Sequence, residues 1–284
     1  MPVCTTCISV LQCRSLFGAI LHTDGKEVAH VALHGFFPIH IAAENLFPDV
    51  VYYLLSWEVH VDQRTLFAGK TALHHAVRFE PNDEAERVRQ KTLVWVLNTF
   101  HASHDVQDVG GHVPLFNAIL TEDVELIKLL IDGAPINHMD ADGDTHLHVA
   151  VELHSDEVVR LLIEKGADPR LVNREGQTPF HLAAKNPVAC LKAMKEECQK
   201  QRKEFISTLN HVDALGNTPL DYAALHRQKD TFHYIWDSMQ EDLSLSIAPY
   251  KVVLRRWIQK VRKPGMQTGL SNLQSTLKNI PKPA

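Results

Sequence analysis

The residues best suited to chemistry in this chain are its eighteen histidines, its five cysteines and its carboxylates. Their spacing argues against each chemistry in turn. His40, His74, His148 and His181 recur at one place in a repeated nine-residue segment, and the other histidines are scattered through turns and helix ends. His74–His75 and His146–His148 are close pairs, but residues one or two apart on a helix do not face each other, so no metal site is read there. Cys4-x-x-Cys7, with Cys13 and His22, begins a zinc set. A structural zinc takes four ligands at suitable spacing, and no second C-x-x-C follows, so the thiols are read as buried or free. There is no G-x-S-x-G elbow, no G-x-x-x-x-G-K-[ST] loop, no H-E-x-x-H and no G-x-G-x-x-G. Asp140, Asp142 and Asp213 fall in expected turns and form no catalytic pair. No catalytic residue, metal or cofactor is therefore expected; an active site in the terminal segments is the alternative.

The composition is that of an ordinary globular chain, 45% hydrophobic and 22% charged. No apolar run of about 18 residues occurs, so no transmembrane segment is expected. No Lys or Arg precedes Arg14, so the charged start of a secretory signal is not expected. An odd cysteine count in a long chain fits a reducing compartment, and a cytoplasmic location is expected. The net charge is −5, but residues 250–284 hold eight basic residues and no acid, which leaves −13 on residues 1–249. An acidic body does not suit nucleic acid, and none is expected as a partner.

The elements that position these residues come from an internal repeat. GFFPIHIAA, GKTALHHAV, GHVPLFNAI, GDTHLHVAV, GQTPFHLAA and GNTPLDYAA begin at Gly35, Gly69, Gly111, Gly143, Gly176 and Gly216. Successive glycines are 34, 42, 32, 33 and 40 residues apart. Thr71, Thr145, Thr178 and Thr218 stand where a hydroxyl caps a following helix. Pro38, Pro114, Pro179 and Pro219 stand at the first helical position, where a missing N–H costs nothing. A second apolar pattern follows each segment, clearest in Val124–Ala134 and Val158–Pro169, and Gly133 and Gly166 end those helices. Each unit thus reads as turn, helix, loop, helix, which buries its apolar face only by stacking on neighbours.

The period and the T-P-L-H-x-A core resemble the ankyrin repeat over residues 31–237. The resemblance implies an all-α ankyrin-repeat solenoid of helix-turn-helix units with β-turn fingers. It also gives the four core histidines structural hydrogen bonds. Phe37 and Val113 in place of Thr, Ala72 and His146 in place of Pro, and Phe116 and Asp221 in place of His depart from the pattern. The extra residues of the second unit are expected around 79–90, ahead of a helix through 93–97. Those of the fifth are expected to extend a charged helix, 192–205. Residues 1–30 read as an N-terminal cap or degenerate repeat. Residues 238–284 read as a linker and a basic C-terminal tail that is helical over 252–261.

By the same resemblance, fingertips and the first helices of a concave face hold a partner protein, which a basic segment would suit. The finger positions are Val109, Gly110 and His112 in the third unit and Met139, Ala141, Asp142 and Asp144 in the fourth. The fifth offers Val172, Arg174, Glu175 and Gln177, and the sixth Val212, Ala214, Leu215 and Asn217. In the tail, Arg255, Arg256, Trp257 and Lys260 offer contacts to an acidic membrane surface or to the chain's own acidic body. The function expected is a protein-binding scaffold or adaptor. The alternatives are a bacterial effector delivered to a host cytosol, a substrate receptor of a ubiquitin ligase, and an enzyme with its site in the termini.

Overall fold

Short apolar segments, each opened by a cap and a proline, give short helices. The computed structural model describes residues 30–77, 81–200, 208–226 and 228–241. Among them are twelve helices: α1 (Pro38–Glu44), α2 (Pro48–Ser56), α3 (Ala72–Ala76), α4 (Glu84–Thr99), α5 (Pro114–Leu120), α6 (Val124–Ile131), α7 (His146–Glu152), α8 (Asp156–Glu164), α9 (Pro179–Ala184), α10 (Ala189–Lys200), α11 (Pro219–Leu225) and α12 (Lys229–Glu241). They form six pairs, one for each repeated segment, as an all-α ankyrin solenoid requires. Helices of five to nine residues are not stable alone, so packing must hold them.

The chain divides into two compact units at Val149/Ala150, within α7. In the first, α1 packs on α3 and α3 on α5, while α2 packs on α4 and α4 on α6. First helices thus stack on first helices and second on second, around fully buried Ile39, Leu73, Leu93, Leu97, Leu115 and Leu130. In the second unit α9 stacks on α11 and α8 on α10, around Val159, Leu162, Phe180, Leu191 and Ile235.

The caps follow the sequence. Pro38, Pro114, Pro179 and Pro219 are the first residues of their helices. Thr71, Thr178 and Thr218 are N-caps in extended backbone. The described part of the 79–90 segment, residues 81–90, differs from expectation: Asp83 caps α4 by accepting from the Glu86 N–H at 2.7 Å, so the helix begins at Glu84. Buried Gln90 then donates to the Ala76 carbonyl at 3.0 Å, tying that extension to α3. At the other end, α12 runs through residues 238–241, where a linker is expected. Met239 continues the buried stripe of Phe232, Ile235 and Trp236, one helical turn at a time. Cys4, Cys7, Cys13 and the rest of residues 1–29 of the N-terminal cap, residues 201–205 of the charged helix, and the tail with Arg255, Arg256, Trp257 and Lys260 lie outside the described residues.

Candidate functional site

Each pair of helices is preceded by a hairpin finger, and one polar side chain holds the tip in fingers 3 to 6. Asp108 Oδ1 accepts from the N–H groups of Gly110 and His112 at 2.8 and 2.9 Å. Asp140 does the same for Asp142 and Asp144, Asn173 for Glu175 and Gln177, and Asp213 for Leu215 and Asn217. In finger 2 the Thr65 hydroxyl accepts from Lys70 N–H at 2.9 Å. The turn acids read in the sequence are therefore supports of the tip, apart from Asp142, which stands exposed on it.

The fingers are joined to one another by a backbone ladder. In the first unit Leu66 N–H donates to Gly35 O at 2.9 Å, Val109 N–H to Ala68 O at 2.9 Å and Ala141 N–H to Gly110 O at 3.0 Å. In the second, Ala214 N–H donates to Glu175 O at 2.9 Å. Close approach explains the glycines at these joints. Gly111 has φ +78°, and a Cβ there would lie 2.8 Å from Ala141 N; Gly176 has φ +72°, and a Cβ there would lie 2.9 Å from Ala214 N.

The core histidines tie helix to finger. His74 Nδ1 accepts from Thr71 N–H at 3.1 Å, so Nε2 carries the proton and donates to His112 O at 3.0 Å. His40 bonds Phe37 N–H and Gln63 O, and His181 bonds Thr178 N–H and Asn217 O, in the same two directions. Burial pushes His40, His74 and His181 down to about 4, so all three are neutral. In the sixth repeat the Asp221 carboxylate takes the histidine's place, accepting from Thr218 N–H at 2.8 Å. In the third, Phe116 packs against buried His146, with ring centroids 4.2 Å apart and planes tilted by 34°. These histidines are structural, and no group of three or more His, Cys, Asp or Glu among the described residues is arranged to hold a metal.

The expected finger residues differ in what they offer. Val109 and Leu215 are 76% and 81% exposed, and Ala141, Asp142, Arg174, Glu175 and Ala214 are also exposed. Met139 and Val212 are partly exposed, at the flank of their fingers. His112 lies between two fingers, 3.5 Å from Asp108 Oδ1 and 3.6 Å from Asp140 Oδ2. Asp144, Val172 and Asn217 are half-buried. Gln177 turns inward: it is 4% exposed and donates to the Tyr222 hydroxyl at 2.8 Å. That hydroxyl donates to Asp213 Oδ2 at 2.7 Å. Burial by itself would raise Asp213, but the bonds from Asn217 and Tyr222 hold it below the usual carboxylate range. Burial, then the Asp213 carboxylate, push Tyr222 up to about 12.

Two exposed residues of finger 2 are absent from the sequence reading. Leu66 and Phe67 are 64% and 79% exposed, and the Phe67 ring lies across Gly35 of finger 1, where a Cβ would come within 2.5 Å. The signal was present: Leu66-Phe67-Ala68 directly precedes Gly69, as Val109-Gly110 precedes Gly111.

The ankyrin-repeat family model matches residues 84–173 and 165–245. The chain is 43% identical over 72 residues to human 2-5A-dependent ribonuclease, covering 25% of this chain and 10% of that protein. It is 29% identical over 174 residues to NF-kappa-B inhibitor delta of Mus musculus, covering 52% of each. It is 34% identical over 120 residues to mouse protein phosphatase 1 regulatory subunit 12A, covering 42% of this chain and 11% of that protein. The chain thus spans about half the length of one of these relatives and about a tenth of the other two. With more than half of its length matched and six helix pairs behind laddered fingers, this chain belongs to the ankyrin-repeat family, a family of protein-interaction repeats.

Proposed function

We propose that this chain is a scaffold or adaptor that holds a partner protein on the fingertips of residues 31–237. The observation that carries this reading is the exposure of large apolar side chains at fingertips fixed by backbone bonds: Leu66, Phe67 and Val109 in the first unit and Leu215 in the second. Rigid exposed apolar anchors are what a binding surface needs, since ordering costs are already met by the fold. The acidic body favours a partner with a basic segment. Cys190 and Cys198 are buried and form no disulfide, which fits a reducing compartment, and we place the protein in the cytoplasm. The effector and ubiquitin-ligase readings rest on the C-terminal segment outside the described residues and gain nothing from the fingers.

Affinity capture with the full chain, read by mass spectrometry, tests the proposal. The combined variant Phe67→Ser, Val109→Ser and Leu215→Ser should lose the captured partner while its circular dichroism stays that of the parent. An unchanged set of captured proteins refutes binding through the fingers.

A further inference from the structure

The fingertips of the first unit change character along the row. Fingers 2 and 3 present the large apolar side chains Phe67 and Val109. Finger 4 presents Ala141 and the exposed carboxylate of Asp142 instead. The ladder bonds from Val109 and Ala141 fix the order of these three tips.

Their pitch follows from backbone geometry. Each finger is a hydrogen-bonded hairpin, closed at Thr65–Lys70, Asp108–His112 and Asp140–Asp144. Two chain passes at about 4.8 Å each give one tip roughly every 10 Å. A polyproline II helix rises about 3.1 Å per residue and repeats its side-chain direction every third residue, which is roughly 9 Å. A β-strand fits less well, because residues three apart point to opposite sides.

We propose that the fingertips of the first unit bind a polyproline II segment of another protein carrying two large apolar residues and an arginine at every third position. The apolar pair faces Phe67 and Val109, and the arginine faces finger 4. This rests on the protein-binding reading of the fingers and adds the chemistry of the partner. An aromatic ring pinned over Gly35 and a β-branched side chain one finger away bury the apolar pair without first being ordered. A guanidinium suits Asp142, the exposed carboxylate of that tip, because its planar fork matches a carboxylate.

The test uses the full chain and two labelled peptides, Leu-Pro-Pro-Leu-Pro-Pro-Arg and its reverse order, read by fluorescence anisotropy. One order should bind, and its affinity should fall at least about tenfold when its arginine is replaced by glutamate, or when the chain carries Phe67→Ser or Asp142→Lys. If neither order binds at about 1 mM, or the glutamate peptide binds equally well, the proposal is overturned. Affinity capture separates the two ideas. A partner lost with Phe67→Ser and Val109→Ser, beside peptides that do not bind, refutes the chemistry and leaves the finger reading standing. Capture indifferent to those variants removes both. A photo-crosslinking residue at position 67 that reacts with the chain's own 250–263 segment also overturns it, because the occupant is then not another protein.

Discussion

Acid should open the first unit before the second, because the buried neutral histidines are unequally shared. His40, His74 and His146 lie in the first unit and His181 in the second; burial pushes each down to about 4. In an unfolded chain a histidine titrates near 6.5. Between these values the unfolded state holds a proton that the folded state excludes. Stability is therefore full above about pH 6.5, falls as pH drops through the window, and levels off below about pH 4. At pH 5 the loss is about 2 kcal/mol per imidazole. The first unit then loses about 6 kcal/mol and the second about 2, against a typical total of about 5–15 kcal/mol. The bond to the His112 carbonyl and the Asp108 carboxylate oppose the shift of His74, and Lys70 and Arg64 add to it. Peptide-resolved hydrogen exchange of the full chain in mild urea, at pH 7.5 and 5.0 with intrinsic rates corrected, measures both units at once. Peptides from α1, α3 and α5 should lose protection first. The variant His74→Gln keeps an acceptor and a donor but has no proton site, so its loss on acidification should be smaller by about 2 kcal/mol, roughly a factor of 30 in opening constant. A loss in His74→Gln as large as the parent's, or acid opening the second unit first, refutes this account of the histidines.

Asp213→Ala removes the acceptor for two tip N–H groups and for Tyr222, and should cost about 3 kcal/mol in urea unfolding. Asp213→Asn should cost much less, because Asn173 already holds finger 5 in that way. Gly111→Ala forces an L side chain to φ +78° and against Ala141 N, for about 2 kcal/mol. The exchange rate of the Ala141 amide should rise with it, and an unchanged rate contradicts the close approach. Cys190, buried and pushed up to about 11, should resist iodoacetamide at pH 8 and react in urea. Labelling of Cys190 itself in the native chain, located by peptide mass, at the rate of a free thiol would count against its burial.

The sequence by itself determined the six helix pairs, because their signals are local: a Thr, a Pro and an apolar stripe within a few residues of one another. Even the early start of α4 was legible in Asp83, a cap that a count of excess residues overlooks. The aspartates of the fingers were legible as turn residues, and Leu66 and Phe67 could have been found by laying finger 2 on finger 3. Partnership across repeats was not legible. The histidines complete their bonds on carbonyls 23 to 38 residues away, and Gln177 meets Tyr222 across 45. Only the stacked structure decides that Gln177 serves the core while Val109 stands at a tip, and that Phe67 lies over Gly35. The physical reason is that a finger offers the same backbone to every side chain, and the neighbouring finger then settles which one turns inward.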